Sequence, residues 1–238
     1  MKLCVVIPAY NAARHIEAVL ERVAGLVTCG LHEVIVVDDG SGDTTARLVK
    51  ARQAIDPRLR LFERTQNGGY GAAMKDGLAM ARDSKPDVLA CIHADGQYAP
   101  EALPDMIEQL WSRGLDLLQG SRIAAGTALR GGMPLYKYVG NALLNRIENH
   151  TLELSMTDYH SGYLVYGPRA LDLPLSNLSD SFDFDLEVIA SARAHGLLVG
   201  EAPIPTHYGD EVSHLNPLTY GLRVLRVMWN YRRGRYAP

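Results

Sequence analysis

Apolar positions fall along this chain in two rhythms. Short apolar-rich runs at residues 3–7, 34–37, 59–63 and 88–92 alternate with stretches in which apolar residues recur every third or fourth place, as at Ile16, Val19, Leu20 and Val23. The first rhythm predicts buried strands, the second amphipathic helices. The run at 3–7 breaks at Pro8-Ala9-Tyr10-Asn11 before the first helix. The run at 34–37 ends in Asp38-Asp39-Gly40-Ser41, where Asp43-Thr44 or Ser41 can cap a helix reaching about Gln53. The run at 59–63 turns at Asn67-Gly68-Gly69-Tyr70-Gly71 into a helix through Ala81, in which Gly69, Ala73, Gly77 and Ala81 recur every fourth residue. That stripe of small residues lets a helix lie close on a sheet. A fourth unit pairs the run from Val88 with a helix ending near Gly114. The alternation predicts an α/β fold: a single domain, mainly parallel sheet flanked by helices, with right-handed crossovers.

The second half is less regular. Residues 135–152 read as a helix with Leu143, Leu144 and Ile147 on its buried face, 163–166 as a strand, 184–195 as a helix closed by Gly196, and 198–201 as a strand. Small residues between Ile123 and Pro134 predict a mobile loop that orders over a ligand. Residues 218–238 set Leu222, Val224, Leu225, Val227, Met228 and Trp229 beside Arg223, Arg226, Arg232, Arg233 and Arg235. Such a segment either lies on anionic lipid or packs on the core or on a second subunit. The plan is one domain, 1–238, in two halves, 1–122 and 123–217, with a basic amphipathic tail, 218–238.

Composition narrows this little. With 238 residues, 47% hydrophobic and 21% charged, the chain can bury one sizeable core. A net charge of −3 and a pI near 6.2 argue against a general nucleic-acid binder. Cys4, Cys29 and Cys91 are scattered, with neither CxxC spacing nor a disulfide framework, and read as reduced packing residues. No signal peptide precedes Val5, and no apolar stretch approaches the ~18 residues of a membrane span. The expectation is a cytoplasmic protein, peripheral if it works at a membrane face.

Candidate chemistry gathers where strands end. The run from Val88 stops at Asp95-Gly96-Gln97-Tyr98, and in open α/β sheets ligands collect beyond the carboxyl ends of strands. Asp95 and Gln97, two apart in extended chain, point the same way, and two hard oxygens suit Mg²⁺ or Mn²⁺. The alternative is that Asp95 caps the helix begun by Pro100 and Glu101. Tyr10-Asn11 and Asp38-Asp39 end two further strands on the same edge. The Asn67 turn lacks GxGxxG and follows the third strand, which favours a turn needing positive φ over a dinucleotide fingerprint.

Taken in order, these motifs resemble the family-2 glycosyltransferases of GT-A fold, and within them the polyprenyl-phosphate sugar synthases such as dolichyl-phosphate mannose synthase. The resemblance covers nearly the whole chain and implies a nucleotide-sugar-binding half, 1–122, and an acceptor half, 123–217. It implies that Pro8, Tyr10 and Asn11 open the nucleotide site, that Asp38 and Asp39 contact base and ribose, and that Lys75 and Ala94 complete the nucleotide set. It implies that Asp95 and Gln97 hold the metal, and that Gly120-Ser121-Arg122 and Asp158-Tyr159-His160-Ser161-Gly162-Tyr163 are the following blocks. His93 stands where the family usually has another carboxylate, and reads as a ligand, a diphosphate contact or a polar strand-end residue. Ala12 replaces an acidic residue and Leu164 an arginine. His207 lies in a segment resembling the family's loop near the diphosphate, as a phosphate or metal contact or an incidental residue.

The expected reaction is metal-dependent, inverting transfer of a hexose or N-acetylhexosamine from a UDP- or GDP-sugar to a polyprenyl phosphate. Asp95, Asp158, His160 and Arg122 are the catalytic candidates, and Arg122, Arg130 and Lys137 would hold an acceptor phosphate. A hydroxyl acceptor on a glycan, protein or small molecule would need a base, Asp158 or His160. The remaining alternative is a nucleotide-sugar-binding module without turnover.

Overall fold

The computed structural model describes residues 1–124, 126, 134–205 and 217–238, without the side chains of Tyr136, Lys137, Pro217 and Leu218. Strands and helices alternate as β1 (Leu3–Ala9), α1 (Ile16–Ala24), β2 (Leu31–Asp38), α2 (Thr45–Gln53), β3 (Leu59–Glu63), α3 (Tyr70–Ser84), β4 (Val88–Cys91), α4 (Leu103–Ser112) and β5 (Leu117–Ser121). There follow α5 (Leu135–Leu152), β6 (Leu164–Tyr166), α6 (Pro168–Leu171), α7 (Phe184–Ala194), β7 (Val199–Pro203) and α8 (Pro217–Arg232). The strands form one seven-stranded sheet in the order β3-β2-β1-β4-β6-β5-β7. β6 runs antiparallel to β4 and β5, and the other pairings are parallel.

β1 shows how the pattern builds the layers. Its Leu3, Val5 and Ile7 join one core with Ile16, Val19, Leu20 and Val23 of α1 and Leu103, Met106 and Leu110 of α4. Cys4 and Val6 face the opposite core, with Met74 and Leu78 of α3 and the apolar side of α7. Side chains alternate along a strand, so a nearly continuous apolar run fills both layers at once. Pro8 does not end β1 as expected. The ladder with β4 stops at Val6, so Pro8, paired only with β2, sits where the strand is open on one side.

The small-residue stripe of α3 does what its spacing predicts. A Cβ on Gly77 would collide with Val6 Cγ1 and come within 3.3 Å of Val37 Cγ2. Two features differ from expectation. β5 was not foreseen, because half of it is Gln119-Gly120-Ser121, polar or small yet buried. α5 has the predicted bounds but is turned from the predicted face: Leu144 and Ile147 pack on the core as expected, Leu143 is 65% exposed, and Asn145, Glu148 and Leu152 are buried. Its inner face meets the backbone of residues 156–157, to which Asn145 donates at Thr157 O and Asn149 donates at Met156 O. Among the described residues no helix is long and apolar enough to cross a membrane.

Candidate active site

The parallel strands β1, β2, β4, β5 and β7 end on one edge of the sheet, and antiparallel β6 begins there. The segment 157–163 therefore reaches the same edge as the loops after β1, β2 and β4.

The first two loops are tied together. The Asn11 and Ala12 amides donate to Ser41 Oγ and Thr45 Oγ1, both at 2.8 Å, and Asn11 Oδ1 accepts the Gly42 amide at 2.9 Å. Asn11 takes φ 49° to do so. Tyr10 stands above them, 54% exposed. Asp38 is buried; its Oδ2 accepts the Ser41 amide at 3.3 Å, while Oδ1 has no hydrogen-bond partner among the described residues. A buried acceptor without a partner is costly unless a ligand fills it.

Asp39 has a different task from the one expected. Its two oxygens accept the Gly68 and Gly69 amides at 2.9 Å each, and Arg64 Nε lies 2.9 Å from Oδ1. The carboxylate fastens the glycine turn instead of facing a base or ribose. Gly69 holds φ 99°, and a Cβ there would strike Asp180 O, so this turn needs glycine for both reasons. Lys75 is likewise engaged elsewhere than at a nucleotide. Its ammonium meets Leu178 O at 2.9 Å, Ser176 O at 3.4 Å and Asp180 Oδ1 at 2.6 Å, filling its three donors.

β4 ends at Cys91, and Asp95 lies in a turn rather than in extended chain. Asp95 Oδ1 accepts the Gln97 amide at 3.0 Å, with Gly96 at φ 76°. The 3₁₀ turn Pro100–Ala102 begins at Ala99 with no side-chain cap, so Asp95 is not its cap. Asp95 and Gln97 are half-buried beside buried Ala94, and Pro8 is half-buried at the end of β1. His93 lies beneath this turn, edge-on to Tyr70 and Tyr98 with ring centroids 5.4 and 5.2 Å away. Its Nε2 is 3.3 Å from Tyr70 Oη. Burial pushes its pKa down against the pull of Asp95, and Arg122 adds to the depression, leaving a neutral ring. Tyr70 also donates to Asp185 Oδ2 at 2.8 Å. Burial raises Asp185 to about 7, the Tyr70 hydrogen bond opposing, and its buried Oδ1 has no hydrogen-bond partner among the described residues.

At the end of β5, Arg122 is held by Asp158. Nε donates to Oδ2 at 2.7 Å, Nη2 to Oδ1 at 2.9 Å, and the Arg122 and His160 amides add bonds of 3.1 and 3.0 Å. Burial of Asp158 would raise its pKa, but Arg122 outweighs it, so the carboxyl stays below its usual range. With four donors on two oxygens and no exposed surface, Asp158 is a poor proton acceptor. His160 turns away: Nδ1 is 3.0 Å from Tyr220 Oη on α8, and Nε2 is 3.4 Å from buried Glu148 Oε2 on α5. Neither of the two expected bases is therefore presented to an acceptor. Arg130, the side chain of Lys137, His207 and most of the loop before Pro134 lie outside the described residues.

Sequence reasoning missed Tyr70, Asp185 and Glu148. Tyr70 and Asp185 are 115 positions apart. Glu148 lies one helical turn after Leu144, and a carboxylate in that place gives no hydrophobic signal.

The Asp95 carboxylate and Gln97 amide supply hard oxygen donors from one short turn, and the described residues hold no cluster of three His, Cys, Asp or Glu. That set fits Mg²⁺ or Mn²⁺, ions that take much of their shell from phosphates and water.

Comparison with known proteins places this arrangement. The family model described as Glycosyl transferase family 2 matches residues 4–172. The UDP-N-acetylglucosamine–dolichyl-phosphate N-acetylglucosaminyltransferase of Methanococcus voltae is 29% identical, over 86% of this chain and 85% of its own. The undecaprenyl-phosphate mannosyltransferase of Micrococcus luteus is 31% identical, over 86% of this chain and 83% of its own. Among solved structures, glucosyl-3-phosphoglycerate synthase from Mycobacterium tuberculosis, in complex with Mn²⁺, UDP and phosphoglyceric acid, superposes with a TM-score of 0.68. It shares 20% identity, over 100% of this chain and 79% of that one, a likeness of fold.

Proposed function

The chain belongs to glycosyl transferase family 2, and from that premise we propose that it moves a hexose or N-acetylhexosamine from a UDP- or GDP-sugar to a polyprenyl phosphate, with inversion. One observation carries the choice of acceptor. The residues a hydroxyl acceptor would need as base, Asp158 and His160, are committed to Arg122 and to α5 and α8, whereas Arg122 is fixed at the same edge by a buried bidentate partner. An acceptor that is already an anion needs a held cation and no base. The relatives named for transfer to dolichyl or undecaprenyl phosphate support the same reading.

Each part of the edge then has a task. Tyr10 offers an open ring to the base, and Asp38 Oδ1 accepts a donor from base or ribose. Asn11 and Asp39 hold the loops that frame this pocket, with Pro8 and Ala94 as its walls. Asp95 and Gln97 would hold Mg²⁺ or Mn²⁺, which when bound neutralises charge on the leaving diphosphate. His93, neutral and wedged between Tyr70 and Tyr98, supports the Asp95 turn from below. Arg122 holds the attacking phosphate against the anomeric carbon.

The test pairs labelled UDP- and GDP-sugars with a short polyprenyl phosphate and, separately, the corresponding polyprenol. Organic-soluble product from the phosphate alone, with Arg122→Ala raising its KM about tenfold or more, is the expected result. Transfer to the free alcohol or to a water-soluble hydroxyl at equal rate would overturn it.

A further inference from the structure

Glu148 of α5 has no exposed surface, and neither of its carboxylate oxygens has a hydrogen-bond partner among the described residues. Its one ion-pair partner among them is His160, whose Nε2 lies 3.4 Å from Oε2. Leu144 and Leu152, one helical turn to either side, join the apolar core, so a leucine in this place would continue the packing. A carboxylate sealed from water costs stability, and an apolar side chain of like volume in its place is commonly neutral or stabilising. Packing alone therefore gives no reason for the glutamate.

Its contact leads towards the site. His160 is met at both ring nitrogens, by Glu148 at Nε2 and by Tyr220 Oη of α8, 3.0 Å from Nδ1, with the Tyr220 ring edge-on at 5.3 Å between centroids. The amide of the same residue donates to Asp158 Oδ1 at 3.0 Å, the oxygen that also accepts Arg122 Nη2. Burial would raise the Asp158 carboxyl; Arg122 first, and His160 after it, hold it below its usual range. Glu148, His160, Asp158 and Arg122 thus stand in one file from α5 to the end of β5. Asn145 and Asn149 of the same helix do something else: they grip backbone at Thr157 O and Met156 O and tie the segment down, whereas Glu148 reaches the histidine side chain.

We propose that Glu148 is a positioning residue: by holding the His160 ring it fixes the His160 amide and Asp158, and so sets the direction in which Arg122 presents its guanidinium to the acceptor phosphate. Tyr220 braces the same ring from the α8 side. The inference rests on the reading of Arg122 as the group that holds that phosphate, and deepens it by naming what aims the group. A guanidinium meets a phosphate through a planar fork of donors, so a small rotation of its carboxylate partner weakens binding without removing a charge.

The test compares Glu148→Gln, which keeps the shape and loses the charge, with Glu148→Met, which fills the space without a polar group. Both are assayed for transfer from a labelled UDP- or GDP-sugar to a short polyprenyl phosphate dispersed in detergent. Each should raise the acceptor KM roughly three- to tenfold, with kcat within about twofold of the wild type and the donor KM unchanged. Their urea midpoints should equal or exceed that of the wild type. In an Arg122→Lys background, where Asp158 keeps a cation but the fork is lost, Glu148→Gln should add less than about twofold.

An unchanged acceptor KM in both variants would overturn the proposal. So would a lowered urea midpoint with equal losses towards donor and acceptor, since Glu148 would then serve the fold alone. A full Glu148→Gln effect in the Arg122→Lys background would sink it as well, because the carboxylate would be acting elsewhere. If Arg122→Ala leaves the acceptor KM unchanged, the reading of Arg122 falls and this inference with it. If Arg122→Ala raises that KM and Glu148→Gln does not, this inference falls alone.

Discussion

α3 and α5 reach their neighbours by different means: α3 turns glycine and alanine to the strands and touches by shape, whereas α5 buries an asparagine and a glutamate beside Leu152 and leaves Leu135, Val139 and Leu143 outside. The first arrangement sets the turn that Asp39 fastens and, through Tyr70, the floor under Asp95. The second adds directed hydrogen bonds, from Asn145 and Asn149 to the backbone of residues 156–157, to a core that includes Leu152, Tyr159 and Phe184. The first half is thus fitted to its sheet by close backbone approach, while α5 combines packing with polar contacts.

The sharpest separation of the two halves is functional. Asp95→Asn should lower kcat/KM by about 10³-fold with unfolding unchanged, since Asp95 is half-buried and spends one oxygen on a local turn. Full activity in that variant would remove the metal reading.

The next effect in size is a pH dependence. Asp185 keeps its proton to about pH 7 when folded and releases it near 4 when unfolded, so the folded state binds more protons between those values. Stability should therefore fall as pH rises from about 4 to 7, by on the order of 4 kcal/mol. Asp185→Asn should flatten that slope in urea titrations at pH 5 and 8. An unchanged slope would mean that Asp185 is not sealed beneath Tyr70.

Gly77→Val should cost roughly 1–3 kcal/mol, because the added methyls overlap Val6 and Val37 of the central strands. In a domain of this size that lowers Tm by ~2–4 °C per kcal/mol. Leu143→Ser, a nominally similar change of volume on α5, should move stability by no more than ~0.5 kcal/mol. A large loss there would show that α5 buries its leucines after all, and would erase the contrast with α3.

Much of the nucleotide half was legible in the sequence because its signals are local. Ile16, Val19, Leu20 and Val23 give the register of α1, and Gly69, Ala73, Gly77 and Ala81 the close approach of α3. β5 was hidden because Gln119 is buried by donating to Ser161 Oγ at 2.7 Å, a partner 42 positions away. The face of α5 was misread because hydrophobic periodicity assumes that the polar side meets water. Of the site, the Asp95-Gln97 turn and the Arg122 and Asp158 blocks were visible as residue types at strand ends. Their tasks were not: Asp39 and Asp158 look equally free in the sequence, and only tertiary partners show both to be fully bonded.

The polar underside of α5 also bears on how the molecule comes apart. Its outer face, with Leu135, Val139 and Leu143 exposed, leaves α5 with fewer apolar contacts than β1, so its amides should exchange with solvent deuterium through a partial opening, while those of β1 and α3 wait for global unfolding. Two cooperative units are then expected, a durable one built on β1 and α3 and a second, with α5, that opens first.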